Sequence, residues 1–279
     1  NVSLSLMFKI FPLTVNEFVL FSQSLFISNF TKFEINRDWK NNRNSFTVSG
    51  NILNISDNDT LFRNIHDPTL FTGHLFQKML FEKGKKINSI NKGSVTENAK
   101  QITFHKSKPL LPIIENLMVK SDNLTAELLI KTIGFESNKK EGNWKNGLEE
   151  VRTFIHDSVG IDTANFSIQD GSGVSRYNYG SPSQYIDLLE WAYNNKVIRD
   201  QFISTLPNST PKGVLNKRSL PNKVYAKTGS LSGVTTFSGY IFTVSGEIVA
   251  FSILMNGFKG DSLPYKNLQD KIVSVLSMI

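Results

Sequence analysis

The sequence predicts an α/β protein: a short β-rich lead-in, a run of amphipathic helices, then an antiparallel sheet closed by a last helix. Three observations predict it. Apolar residues recur at helical spacing from residue 68 to about 195. They change to strand-like runs between Val224 and Asn256. A Ser245-Gly246 pair sits between two of those runs, where a hairpin turn belongs. The chain has the material for the core this requires. Its 279 residues are 39% hydrophobic and 20% charged, with 21 phenylalanines, a composition that excludes disorder. Zero cysteines exclude a disulfide framework and thiol chemistry.

Residues 1 to about 62 read as short β segments. Residues 45–52 alternate small or polar with apolar side chains, as a half-buried strand does, between turn-rich stretches at 41–44 and 57–59. At Asp67-Pro68 the period changes. Phe71, Leu75 and Met79, with Phe76 and Leu80 beside them, mark a helical face; Pro68 suits its first turn and Gly84 its stop. A second helix is predicted from Pro112 to Val119, and a third follows at once with Leu124, Leu128 and Leu129. Leu148, Val151, Phe154 and Ile155 mark a fourth. The fifth is the best specified: Ser181 as cap, Pro182 at the first position and Gln184 at the third form a capping box ahead of Tyr185, Leu188, Leu189 and Ala192. Strands are predicted over 224–228, 235–244 and 247–256, and a final helix over 266–278 with Leu268, Ile272, Val275 and Leu276.

A net charge of +7 raises the question of nucleic acid. The basic residues are scattered, however. The densest group, Lys83, Lys85 and Lys86, falls at a helix end with no aromatic platform, which reads as solvated surface and gives no nucleic-acid partner. A basic exterior also suits an anionic cell envelope. The apolar stretches near the start are broken by Lys9, Pro12, Asn16 and Glu17, so no transmembrane segment is expected. Asn1 is not an initiator Met, and neither a basic leader nor a small-residue cleavage site follows it. The expectation is a chain that starts after processing or inside a longer protein.

Two tripeptides carry the chemistry. Ser121-Asp122-Asn123 falls between two predicted helices, where Ser121 and Asn123 can face one cleft while Asp122 caps the second helix. Lys227-Thr228-Gly229-Ser230 lies on a predicted strand, where an ammonium and hydroxyls can grip a carboxylate. Gly229 leaves room for a ligand backbone, and the Ser230 N–H can donate to a developing oxyanion. Alone, the first reads better as a helix cap and the second as a strand end. Their order, context and separation together match one site.

With these residues in place the chain resembles the penicillin-binding D-alanyl-D-alanine carboxypeptidases that also act as endopeptidases. The resemblance rests on residues 120–127, on Asp170-Gly171-Ser172-Gly173-Val174-Ser175-Arg176, and on residues 226–234 followed by Ser238-Gly239-Tyr240. It implies a three-layer αβα fold of the β-lactamase/transpeptidase type, with an antiparallel sheet, plus the remnant of an inserted β-rich domain. Residues 1–62 would be the C-terminal part of that insertion and 63–279 the C-terminal part of the penicillin-binding domain. It implies serine acyl transfer on peptidoglycan stem peptides, with β-lactams as mimics, in the periplasm or elsewhere in the cell envelope, with no metal or other cofactor. By the same resemblance Ser121 relays protons, Asn123 holds the substrate amide, and Lys227, Thr228 and Ser230 bind the terminal carboxylate beside Gly229. The 170–173 loop is given a structural role near the cleft.

The resemblance also calls for a nucleophilic Ser-x-x-Lys ahead of Ser121. Three such tetrads occur, at Ser89-Lys92, Ser137-Lys140 and Ser209-Lys212. The last two follow Ser121, and the first sits among Lys85, Lys86, Asn88 and Asn91 with no apolar face, so all three read as coincidental. The expectation is a nucleophile upstream of Asn1. A β-lactamase, or a peptidoglycan-binding protein without catalysis, stays open as an alternative. His66, His74, His105 and His156 have no metal-ligand spacing, and no G-x-S-x-G elbow is present.

Overall fold

A computed structural model of the chain describes residues 17–19, 34–50, 60–139, 141–221 and 223–279. These fall into two compact units, one ending at Phe104 and one running from His105 to Ile279.

In the first unit, strand β1 (Glu17–Val19) pairs with a later strand, and strand β2 (Glu34–Arg37) forms an antiparallel hairpin with β3 (Phe46–Ser49). The partner of β1 is β4 (Thr60–Phe62), also antiparallel. The strand predicted over 45–52 is therefore seen as Phe46–Ser49, and residues 51 and 52 lie outside the described residues. The polar 41–44 stretch makes the hairpin tip, where the Asp38 carboxylate accepts from the Asn41 side chain at 2.9 Å. Helix α1 (Pro68–Glu82) starts where Pro68 predicts. Asp67 caps it by accepting from the Leu70 N–H at 3.1 Å. It ends through Gly84, whose φ of 73° lets the chain turn back while its N–H donates to the Phe81 carbonyl.

The second unit carries the site. Its helices are α2 (Leu110–Lys120), α3 (Asn123–Asn138), α4 (Trp144–Phe154), α5 (Pro182–Asn194) and α6 (Arg199–Thr205). Strands β5 (Val224–Leu231), β6 (Val234–Phe242) and β7 (Ile248–Asn256) follow, and helix α7 (Leu263–Leu276) closes the chain. The sheet is antiparallel in the order β5-β6-β7. The capping box before α5 forms as predicted from Ser181 and Gln184. The Ser245-Gly246 turn joins β6 to β7, with Gly246 at a φ of 90°. Helix α6 has no counterpart in the sequence reading. Seven residues are too few to show a helical period, and it is burial of Phe202 and Ile203 against the sheet that holds the segment.

Both faces of the sheet are covered. On one, Val224, Ala226, Phe237, Ile241 and Phe251 pack with Leu215 and with Val273 of α7. On the other, Tyr240 packs with Leu189 and Leu206, flanked by Met118 of α2, Tyr193 of α5 and Phe202 of α6. The buried Tyr240 hydroxyl donates to the Leu189 carbonyl at 2.6 Å, which satisfies its only polar atom. The architecture is the expected three-layer αβα arrangement. Residue-by-residue register across β5 and β6, from Val224↔Ile241 to Leu231↔Val234, then decides which side chains of β5 reach which layer.

A buried ion pair locks α7 to the segment leading into β5. The Arg218 guanidinium donates to the Asp270 carboxylate at 2.6 and 2.7 Å, to the Lys266 carbonyl and to the Gln269 side chain, and lies 4.2 Å over the Phe237 ring. Removing the cation would leave Asp270, 7% exposed, as an unpaired buried charge. Arg218→Ala is expected to lower unfolding free energy by about 3–5 kcal/mol. Arg218→Ala combined with Asp270→Ala should lower it by less than the sum of the two single losses, as read by urea denaturation.

Candidate functional site

Ser121 and Asp122 are the whole connection between α2 and α3. Asp122 does what its position predicts: its carboxylate accepts from the N–H groups of Leu124 and Thr125 and from the Thr125 hydroxyl, at 3.1, 3.4 and 2.6 Å. Two orphan donors at the start of α3 are thereby satisfied, and an anion sits at the positive end of the helix. Ser121 terminates α2 in the left-handed region, with φ 52° and ψ 50°. A residue with a Cβ pays about 1–2 kcal/mol there. The tight reversal leaves Ser121 exposed and puts its hydroxyl against strand β5, where it accepts a hydrogen bond from the Lys227 ammonium.

Strand β5 supplies the opposite wall. Its first half is core, with Val224 and Ala226 fully buried. Its outer edge there is already used: the Ala226 N–H donates to the Pro207 carbonyl at 2.8 Å, and the Val224 carbonyl accepts from the Ser209 N–H at 3.0 Å. Alternation sends the N–H and C=O groups of Thr228 and Ser230 to that same outer edge. Among the described residues no strand pairs with β5 on that side. Lys227, the next side chain after Ala226, belongs to the other face. It crosses to α2 and α3, and its ammonium also donates to the Thr228 carbonyl at 2.8 Å. Burial pushes its pKa below the ordinary lysine value.

Around Lys227 the face carries hydroxyls: Ser238 is its cross-strand partner and lies 2.9 Å from the Ser252 hydroxyl. Gly229 is required by the neighbouring strand, since a Cβ there would stand 2.4 Å from the Thr236 Oγ1. Ser230 is exposed near the strand end, and Asn123 is exposed on the first turn of α3. Lys227 and Ser121 are thus brought into direct contact. Asn123 lies two residues from that contact on one side, and Thr228, Gly229 and Ser230 adjoin it on the other. A cation, a hydroxyl and two outward strand amides form a surface that can take a carboxylate and a polarised carbonyl.

The 170–178 segment makes a third wall. Asp170 organises it from within, accepting from the N–H groups of Gly173 and Ser175 and from the Asn178 amide at 2.8, 2.5 and 2.9 Å. The Arg176 guanidinium donates to the Ser232 carbonyl at 2.9 Å, which ties the segment to the β5–β6 turn. Glu127 of α3 holds the near end. It accepts from the Gly171 and Ser172 N–H groups, both at 3.0 Å, and from the Trp144 indole at 2.8 Å. Burial by itself would raise the Glu127 carboxyl; the Ser172 hydroxyl and these three N–H donors outweigh it and hold the pKa below the ordinary glutamate value. Glu127 lies in the 120–127 run that carries the resemblance, which implies no role for it. Its spacing of four from Asn123 places it on the same helix face, yet no local signal says that a loop 44 residues later will meet it.

Of the three Ser-x-x-Lys tetrads, the serines of two are otherwise engaged and the third belongs to the first unit. Ser89 is exposed on irregular backbone, and Lys92 is ion-paired with Asp67 at 2.7 Å. The buried Ser209 hydroxyl donates to the Pro221 carbonyl and accepts from the Val224 N–H. The Ser137 hydroxyl donates to the Gly134 carbonyl in the last turns of α3. His74 and His156 are exposed, the latter 2.8 Å from the Asp157 carboxylate. Among the described residues no group of three or more His, Asp or Glu side chains could hold a metal ion, and no helix is long and apolar enough to cross a membrane.

A profile of the D-Ala-D-Ala carboxypeptidase 3 (S13) family matches residues 31–279. A D-alanyl-D-alanine carboxypeptidase of Actinomadura is 32% identical over 230 residues, which cover 78% of this chain and 42% of that one. The D-alanyl-D-alanine carboxypeptidase DacB of Haemophilus influenzae is 27% identical over 216 residues, covering 75% and 45%. The crystal structure of penicillin binding protein 4 (dacB) from Haemophilus influenzae, complexed with a β-lactam, superposes with a TM-score of 0.75 at 24% identity, over 89% of this chain and 59% of that one. The likeness is one of fold. The chain spans less than half the length of the two curated relatives.

The depressed Lys227 pKa has a thermodynamic signature. Below the folded pKa both folded and unfolded chains hold the proton; between the folded and unfolded values the unfolded chain binds more. Stability contributed through Lys227 therefore rises with pH across that window and levels off above the unfolded lysine value. Relative to Lys227→Met, the unmodified chain is expected to gain stability as pH is raised toward 10.5, as read by urea denaturation of both proteins at matched pH.

Proposed function

The chain belongs to the D-Ala-D-Ala carboxypeptidase 3 (S13) family, and from that premise we propose that it is part of a serine-type D-Ala-D-Ala carboxypeptidase/endopeptidase acting on peptidoglycan stem peptides in the periplasm or cell envelope. The observation that carries the reading is the hydrogen bond from the Lys227 ammonium to the Ser121 hydroxyl, which joins two motifs 106 residues apart.

In this reading the terminal carboxylate of the peptide docks on Lys227 and on the hydroxyls of Thr228 and Ser230, and a β-lactam carboxylate takes the same place. The Ser230 N–H, directed off the free edge of β5, supplies half of an oxyanion hole. Asn123 holds the substrate amide across the cleft. Ser121 passes a proton between the family's catalytic lysine and the leaving D-alanine amine, while Lys227 keeps its hydroxyl oriented. Water then releases the acyl group. The attacking serine belongs to the family's Ser-x-x-Lys; the engagement of Ser209 and Ser137, and the setting of Ser89, support none of the three tetrads in that role. Residues 1–62 are assigned to the C-terminal part of an inserted β-rich domain and 63–279 to the C-terminal part of the penicillin-binding domain. The names of the two curated relatives and the β-lactam bound in the Haemophilus protein support the assignment of substrate and mimic.

Intact mass and peptide mapping of the full-length natural product after incubation with penicillin test this. A stable stoichiometric adduct on the serine of a Ser-x-x-Lys is expected. Rapid turnover of a chromogenic cephalosporin would mean a β-lactamase, and a folded protein with no adduct would mean a binding protein without catalysis. Ser121→Ala and Lys227→Ala should each slow acylation about 10²–10³-fold. Ser121→Gly should lose acylation equally while gaining about 1 kcal/mol in stability, because glycine adopts the left-handed backbone freely.

A further inference from the structure

We propose that Glu127 is a positioning residue that holds the 170–173 loop in register with the Ser121–Lys227 contact. The inference rests on the acyl-transfer reading above for its kinetic consequence, but on geometry for the hold itself. Every partner of the Glu127 carboxylate is a donor: the Gly171 N–H, the Ser172 N–H and hydroxyl, and the Trp144 indole N–H. A group that only accepts is what such a set requires, and an ionised carboxylate is the side chain with enough acceptor sites.

Packing fixes only one side of the loop. On one side Gly171 already touches α3, where an added Cβ would lie 2.5 Å from the Ile130 side chain and 2.7 Å from the Ala126 carbonyl. On another side Asp170, Gly171 and Gly173 border a cavity of about 310 Å³ lined by Ile155, Ile161, Phe166, Tyr185 and Leu188. With open space there and no side chain on two of its residues, the loop has little apolar surface to anchor it. Its fixed points are Glu127 and, just ahead of Asp170, the Arg152 bond to the Ile168 carbonyl at one end, and the Arg176 bond to Ser232 at the other. Glu127 stands on the same helix that Asp122 caps beside Ser121, so one rigid element sets the positions of the serine and of the loop. Through Arg176 the loop then meets the turn that follows Ser230. Glu127 touches no reacting atom. It acts by keeping three walls at fixed separation, and its loss should be felt in substrate binding before it is felt in the chemical step.

Glu127→Gln keeps the shape and turns one acceptor into a donor facing donors. Amide hydrogen exchange at Gly171 and Ser172 is expected to speed up at least tenfold in this variant (by analogy with local opening). In the full-length protein KM for a D-Ala-D-Ala peptide should rise about tenfold, with kcat within about twofold. Ser172→Ala, which removes one donor and leaves both amides, should give a smaller change of the same kind and serves if Glu127→Gln does not fold. Unchanged exchange at both amides would overturn the proposal. So would a fall in kcat at constant KM, which would mark Glu127 as a participant in the chemistry. Should the unmodified protein take no penicillin adduct and cleave no such peptide, the functional reading fails, and the exchange measurement still decides whether Glu127 holds the loop.

Discussion

Strand β5 passes from buried core to the Ser121–Lys227 contact within a few residues. Val224 and Ala226 are buried without residual exposure between the sheet and α7, and Lys227, the next residue, must carry an ammonium on the other face. The two-residue period of a strand makes this possible and also makes it unforgiving. A slip of one position would bury the ammonium and expose the alanine. Register against β6, the Arg218–Asp270 pair on the α7 side and the bonds from Pro207 and Ser209 on the outer edge all work to prevent it. The same bonds stop at Ala226, so the outward amides of Thr228 and Ser230 are left facing an edge where a peptide backbone can add.

Ser121 is held in place by a different device. Its backbone is in a region that costs a side-chain-bearing residue free energy, and the strain is offset by regular structure on both sides: the last carbonyls of α2 and the Asp122 cap of α3. Within the Ser-Asp-Asn run Asp122 caps α3, while Ser121 presents its hydroxyl to Lys227. Lys227 shows a comparable compromise. An ammonium half-withdrawn from water gives up solvation, which lowers its pKa, and receives in exchange fixed acceptors at the Ser121 hydroxyl and the Thr228 carbonyl.

Local elements were legible wherever the signal was local. The caps at Asp67, Asp122 and Ser181, the proline at the start of α1 and α5, and the hairpin turn at Ser245-Gly246 all act through residues within four positions of one another. Lengths were less legible. Helix α2 begins at Leu110 rather than Pro112, and β5 runs on to Leu231 rather than stopping at Thr228. For β5 the extra residues are held by a neighbour in space, since β6 pairs with it from Val224 through Leu231. Helix α6 was invisible because its two apolar residues make no period and owe their burial to the sheet.

By itself the sequence determined the α/β class, the caps and turns, and the identity of the two motifs, because each of these is written in residue type and spacing over short distances. What only the tertiary structure decided is which groups meet. Ser121 finds Lys227 across 106 residues, Glu127 finds Gly171 across 44, and Arg218 finds Asp270 across 52. Contacts of that range depend on how a doubly covered sheet stacks its layers, and the packing of side chains between layers is not encoded at any one position.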